Sequence, residues 1–397
     1  MLLTPASELA ARINRFQEWM KNSNVGGCLL VQNADLVYFS GTYQNAYLYI
    51  PDKNEPVFMV RRSIQRAREC SPLRRILPLG SPKRLPEVLR EEGFPAPGRL
   101  GLELDVLPAR QYFKLKELFP GSEIVDCSTA IRQLRAIKSP YELGLLKDTA
   151  DMMDRVFARI PDLLEEGITE LELAGRIEGL ARREGHQGMV RVRGFNTDFH
   201  YGCLLTGAHG GVASFFDGPL GGPGLNPAYP FGLGCRILGR DEPVMVDYAG
   251  CKEGYVVDMA RLFVLGSLPG HLERAHRVAV QIQNALAEMA CPGVSGARLY
   301  ELALSMAHEA QLNNNFMGCG EQVSFVAHGV GLELDEFPVL ARGVKTILQE
   351  GMVLALEPKF IFPGEGAVGI ENIFVVQETG LERLTRYPDE ICPVKVS

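Results

Sequence analysis

The chain has 397 residues, 46% of them hydrophobic and 22% charged, with a net charge of -7. An acidic balance of this kind offers no basic face for nucleic acid or an anionic membrane, and no apolar stretch approaches membrane-spanning length. The length argues for two domains, because single cores stop growing below this size. The opening residues MLLTPASELAARINRF lack a basic region followed by an apolar run, so no secretory leader is expected. Nine scattered cysteines without a Cys-x-x-Cys pair suit reduced thiols in a cytoplasmic protein. Cys251 falls in a turn between two aspartates and reads as a loop residue.

In chain order, Leu9 to Met20 carries apolar residues at helical spacing. GGCLLVQ and NEPVFMV read as short buried strands. RRSIQRAREC is helical in pattern, and RRILPL and RLGLELD are strand-like. This alternation predicts an α/β domain. We place the boundary within residues 127–138, giving an N-terminal domain of residues 1–130 and a catalytic domain of residues 131–397. Just after the boundary, Ser139-Pro140-Tyr141-Glu142 is a strong helix start, with a capping serine, proline at the first helical position and a glutamate completing a capping box. Thr169-Glu170-Leu171-Glu172 opens a second helix towards Arg183. Helical stretches at 271–290 and 296–312 follow. Between Arg191 and Arg240 lies a run rich in glycine, proline and aromatics, too long for a simple connector and suited to lining a pocket. Phe215, Phe216 and Tyr229 are its candidates for an apolar wall.

The chemistry concentrates beyond residue 240. Segments 243–250 and 255–264 are apolar and β-branched around a Cys251–Gly254 turn. A hairpin centred on Lys252-Glu253 sets Asp247 directly opposite Asp258, with Cβ atoms about 4.5–5.5 Å apart. Two anions so placed repel unless a cation lies between them. LALEPKFIF and VGIENIFVV flank a second hairpin signal, Pro363–Gly366, and a turn centred on Gly364 makes Glu357 face Glu371. His328 follows VSFVA and precedes Gly329-Val330-Gly331. Four carboxylates and an imidazole are a donor set for hard or borderline divalent cations, and burying those carboxylates without a cation costs many kcal/mol.

The series G-Y-x-x-D, H-G-x-G-L, x-E-P and x-I-E-N resembles the pita-bread metallopeptidases, the group of prolidase, aminopeptidase P, methionine aminopeptidase and creatinase. The likeness covers the whole chain. Residues 1–127 resemble the creatinase-type N-terminal domain, and IKSPYE resembles the usual entry to the catalytic domain. The resemblance implies a two-domain α/β protein whose C-terminal half is a pita-bread α+β domain. It implies two divalent ions per chain (manganese, cobalt or zinc): Asp247 on one, His328 and Glu357 on the other, Asp258 and Glu371 bridging. In that family a metal-bridging hydroxide attacks the scissile carbonyl, and Glu357 stands where the general base stands. The implied substrates are Xaa-Pro dipeptides or short peptides, and the implied assembly is a homodimer.

Three positions depart from the pattern. Asp335 stands where the peptidases carry a histidine seven residues after the metal ligand, and an ionised aspartate cannot donate the hydrogen bond that histidine gives. Gly369 stands where prolidase and aminopeptidase P carry arginine. No histidine shortly precedes Asp247, which leaves His200 or the alternative His209 as substrate-facing candidates. Asp335-Glu336 also resembles a pair in the dimethylsulfoniopropionate lyase branch, where the aspartate is a base. Three readings result: a dinuclear-metal Xaa-Pro peptidase, a lyase or non-peptidic amidase with Asp335 as base, and a binding module without turnover.

Overall fold

The computed structural model describes residues 2–394. It divides into two units, Met1–Arg135 with Arg193–Thr197, and Ala136–Val192 with Asp198–Ser397. The first unit holds six strands, β1 (Gly27–Leu30), β2 (Ala46–Pro51), β3 (Val57–Val60), β4 (Ile76–Pro78), β5 (Arg99–Leu102) and β6 (Glu123–Asp126), in the order β4-β3-β2-β1-β5-β6. Helices α1 (Ala6–Asn22), α2 (Asn33–Ser40), α3 (Ile64–Cys70), α4 (Leu85–Glu91), α5 (Ala109–Leu118) and α6 (Ser128–Ala136) alternate with them. Leu29, Met59, Leu89 and Leu100 join one buried core there, so the α/β expectation for the N-terminal domain is met.

In the second unit, α7 (Pro140–Phe157) starts at the predicted capping box: Ser139 Oγ accepts from the Glu142 amide at 3.2 Å, and Glu142 Oε2 accepts from the Ser139 amide at 3.1 Å. Thr169 Oγ1 caps α8 (Glu170–Glu184) by accepting from the Glu172 amide at 3.1 Å. Then come β7 (Gly202–Thr206), β8 (Val244–Lys252), β9 (Tyr255–Leu265), α9 (Gly270–Met289) and α10 (Gly296–Glu309). The remaining strands are β10 (Phe325–Gly329), β11 (Glu336–Ala341), β12 (Val353–Leu356), β13 (Lys359–Phe362), β14 (Gly366–Gly369), β15 (Asn372–Gln377), β16 (Gly380–Arg383) and β17 (Cys392–Val394). They form sheets β17-β9-β8-β7 and β11-β10-β12-β15-β16 and the pair β13-β14. The two larger sheets meet through a bridge between Ala260 and Glu371. Helix α7 packs on β8 and β9, and α9 on β13 and β14. Among the described residues, no helix is long and apolar enough to cross a membrane.

Two expectations need correction. The β8–β9 register pairs Asp247 with Ala260 and Ala249 with Asp258, two residues away from the predicted pairing. The turn is Glu253-Gly254, not Lys252-Glu253. Both residues have positive φ, 50° and 84°, as a two-residue turn matched to strand twist requires. A slip of two preserves side-chain parity, so both aspartates still share a face. Secondly, the glycine-rich run is not all loop: it contains β7, whose five residues between glycines gave little pattern, and β7 extends the aspartate sheet with Cys203 beside Asp247. Five residues of that run, Arg193–Thr197, belong to the first unit, where Arg193 binds Asp105 and Asp35.

The second hairpin keeps its expected register. Lys359 pairs with Gly369 and Phe362 with Gly366 around a three-residue turn, while Leu356 pairs with Asn372 further along. Glu357 and Glu371 therefore face each other in the gap between the two paired stretches.

Candidate metal centre

Glu357 and Glu371 sit where a ladder is interrupted. Pro358 has no N–H to donate, so the strand breaks there and restarts as β13. The Glu357 amide instead bonds Val326 O at 3.0 Å, and the Glu371 amide bonds Ala260 O at 3.3 Å. Ala260 is the β-partner of Asp247. Backbone pairing alone thus collects β8, β9, β10, β12 and β15 around one point.

Asp258, His328, Glu357 and Glu371 are buried, and the Asp247 side chain is 14% exposed. The His328 ring is oriented by carbonyls: its Nδ1 lies 3.1 Å from Gly329 O and 3.2 Å from Leu334 O. Donation from Nδ1 leaves Nε2 as the metal-competent nitrogen, 3.5 Å from Glu371 Oε1 and 3.6 Å from Glu357 Oε1. Ligand atoms of Asp258, His328 and Glu371 lie within 4.8 Å of one another. Glu371 Oε1 is buried without a hydrogen-bond partner. An orphaned carboxylate oxygen beside an imidazole and a second carboxylate fits one divalent ion with ligand bonds of about 2.0–2.2 Å.

The other half of the cluster is filled by a residue the sequence reading passed over. Lys359 Nζ lies 2.7 Å from Asp247 Oδ2, 2.7 Å from Glu357 Oε2 and 2.7 Å from Glu371 Oε2. Burial opposes its charge, but Asp247, Glu357 and Glu371 together raise the Lys359 ammonium well above its ordinary value. The oxygens of Asp247, Glu357 and Glu371 on that side are thus already paired with an ammonium, while Asp258, His328 and Glu371 Oε1 form a set that fits a divalent ion. A signal was present: Glu357 and Lys359 are two apart in strand-like sequence, so their side chains share a face.

The carboxylates divide accordingly. Burial works against Glu371, yet Lys359 and His328 hold it down at about 2. Burial and then Glu371 and Asp247 push Asp258 well up, against the opposing pull of His328 and Lys359. Burial raises Asp247 and carries Glu357 to about 7, although Lys359 opposes both. Burial pulls the His328 imidazole down, but Glu371, Asp335 and Glu357 raise it well above its usual value.

A further element that sequence reasoning missed is Arg261. Its buried guanidinium donates to Glu371 O and Ala260 O at 2.8 Å each, and to Asn372 Oδ1, Pro388 O and Tyr387 O at 2.7 Å. Asn372 in turn donates to Gln283 Oε1 at 2.8 Å, and Gln283 to Leu356 O at 2.9 Å. This network fixes the backbone on which Glu357 and Glu371 hang. Only the D-M-A-R tetrapeptide hinted at it.

Two predicted catalytic residues are not brought to the cluster. The Asp335 carboxylate is 3.6 Å from His328 Nδ1, on the ring edge opposite Nε2, and its side chain is 57% exposed. It neighbours a ligand rather than the reacting face. The His200 side chain is 60% exposed and contacts Glu178 and the Tyr201 ring. It lies at the end of a loop just before β7, so nothing buries it. The alternative, His209, is tied to buried Glu170 at 2.7 Å, which also accepts from Thr206 and Gly234 and so fixes the loop. Glu336, the other half of the acidic pair, is buried against Lys138 Nζ at 2.9 Å.

With this geometry in view, the chain was compared with known proteins. It matches Metallopeptidase family M24 over residues 144–378 and the Creatinase/Prolidase N-terminal domain over residues 12–137. The Xaa-Pro dipeptidase of Pyrococcus horikoshii is 25% identical over 385 residues, covering 96% of this chain and 98% of that protein. The Xaa-Pro dipeptidase of Lactobacillus delbrueckii subsp. lactis is 26% identical, covering 74% of this chain and 73% of that one. The solved Xaa-Pro dipeptidase of Bacillus anthracis superposes with a TM-score of 0.82 at 22% identity, over 97% of this chain and 99% of that one. The chain is a member of metallopeptidase family M24 with a creatinase/prolidase N-terminal domain, and hence a metal-dependent hydrolase.

Proposed function

We propose that this protein is a peptidase of the Xaa-Pro dipeptidase type, hydrolysing the bond before proline in dipeptides or short peptides. The observation that carries the reading is the buried set Asp258, His328 and Glu371, with an orphaned carboxylate oxygen and a histidine whose Nε2 is turned inward. The names of the relatives support the Xaa-Pro preference.

A divalent cation at such a site supplies a positive field that makes water a nucleophile near neutral pH and polarises a carbonyl. This chain's own groups do the rest. Asp258, His328 and Glu371 would hold the ion, with Asp247 and Glu357 completing the acidic cluster. Glu357, poised near neutrality, is the group suited to take a proton from the attacking water and pass it to the departing amine. Its Oε1 faces His328 while Oε2 is anchored by Lys359, which fixes its rotamer. Phe215, Phe216 and Tyr229 surround the buried Phe231 with centroids 6.4, 5.0 and 6.4 Å from it. Phe231 packs in one core with Cys203 of β7, so this partly exposed aromatic group is a candidate surface for a pyrrolidine ring. Manganese, cobalt or zinc would each suit the donor set. Nine cysteines, all free, agree with a cytoplasmic location, and the family likeness suggests a homodimer.

The test is a panel of Xaa-Pro dipeptides, longer Xaa-Pro peptides and non-proline controls with metal-loaded protein. Cleavage confined to Xaa-Pro bonds is expected. Failure to cleave any peptide while metal is bound would contradict the reading.

A further inference from the structure

Lys359 supplies a cation where the five-ligand pattern calls for a metal. An ammonium has three hydrogens. Here it meets three carboxylate oxygens at 2.7 Å each, one from each of Asp247, Glu357 and Glu371, so every donor finds an acceptor. The side chain is 2% exposed, which removes water as a competing partner. The room it occupies is built in. Gly369 is the cross-strand partner of Lys359, and a Cβ there would lie 2.6 Å from Pro358 O, 2.7 Å from Lys359 Cα and 2.8 Å from its Cγ. Any larger residue would push the backbone at Pro358 and Lys359 aside, and the lysine side chain with it. A metal bound to the same three oxygens at about 2.0–2.2 Å would overlap the ammonium, so the two exclude each other.

The second observation concerns the other oxygen of Glu371. Glu371 presents Oε2 to Lys359, while Oε1 has no hydrogen-bond partner and faces His328 Nε2. Asp258 completes that side. Among the described residues, the three-ligand place for an external cation lies on the side of Glu371 away from the ammonium.

We propose that Lys359 is a resident second cation, so that this chain binds one divalent ion, at Asp258, His328 and Glu371, in place of two. This rests on the metal-dependent reading above but concerns the number of ions. Asp247 then serves as counter-charge to Lys359 instead of as a metal ligand. Glu371 links the two positive centres through its two oxygens. Lys359 itself is a positioning residue, with all its protons committed to the carboxylates.

The test is metal content and Mn(II) electron paramagnetic resonance of the full chain, dialysed free of metal and saturated with Mn2+ alone. The unsubstituted chain is expected to bind one equivalent and to give the hyperfine-resolved spectrum of an isolated ion. Lys359→Gly is expected to bind two, with an exchange-coupled spectrum. Two equivalents in the unsubstituted chain would overturn the proposal and leave the metal-dependent reading intact. A folded Lys359→Gly that stays at one equivalent would also overturn it. No bound metal in either protein would overturn the reading beneath it. Should Lys359→Gly not fold, the count and spectrum of the unsubstituted chain decide alone.

Discussion

The carboxylate of Glu371 separates two environments that the ligand pattern makes look alike. On one side, Oε2 shares an ammonium with Asp247 and Glu357. On the other, Oε1 faces an imidazole and Asp258 without a donor. The first side is neutralised by the chain itself, and the second depends on an ion from solution. A list of ligands counts oxygens. What occupies the space between them decides how many ions enter.

Glu357→Gln keeps shape but removes the proton acceptor, and kcat should fall about 10²–10⁴-fold with bound metal unchanged. Steady-state kinetics beside metal analysis checks this, and unchanged turnover would remove Glu357 from its role. Lys359→Met deletes the ammonium while keeping most of its volume, leaving three buried carboxylates uncompensated. The metal-free variant should lose about 3–5 kcal/mol in denaturant unfolding, and Mn2+ should recover more of it than in the unsubstituted chain. Equal stability without metal would mean that the ammonium does not carry that side.

Arg261→Lys cannot reproduce five directed donors, so about 2–4 kcal/mol of stability should be lost, together with weaker Mn2+ binding by calorimetry. Unaltered metal affinity would show that the Glu371 backbone needs no such anchor. Asp335→Asn gives the smallest change, less than about tenfold in kcat, as suits a neighbour of His328. A loss of about 10²–10⁴-fold would instead favour the base role that the acidic pair suggested.

Much of this site was legible because carboxylates on buried strands are physically anomalous. Parity along a strand is robust, so Asp247 and Asp258 shared a face even though the register lay two residues away. The second hairpin was legible in register because Gly364 fixed its centre. The α/β character of residues 27–126 followed from alternating patterns, and the capping box at Ser139 marked α7 correctly. Lys359 was missed for a physical reason. A lysine beside a glutamate reads as a solvated pair, and only the fold reveals that it is walled in. Gly369, taken as a missing arginine, turns out to be the space that the lysine uses. Asp335 was chosen because it stands at the family's histidine position and His200 as a nearby histidine, and neither signal tells where a side chain lies relative to the reacting face of His328.

Crystals of the full chain grown with Mn2+, measured at the manganese absorption edge, count the bound ions and locate Lys359 at once. One anomalous peak is expected, between Asp258, His328 and Glu371, with Lys359 Nζ still in contact with Asp247, Glu357 and Glu371. Two peaks, with the lysine displaced from the cluster, would contradict it.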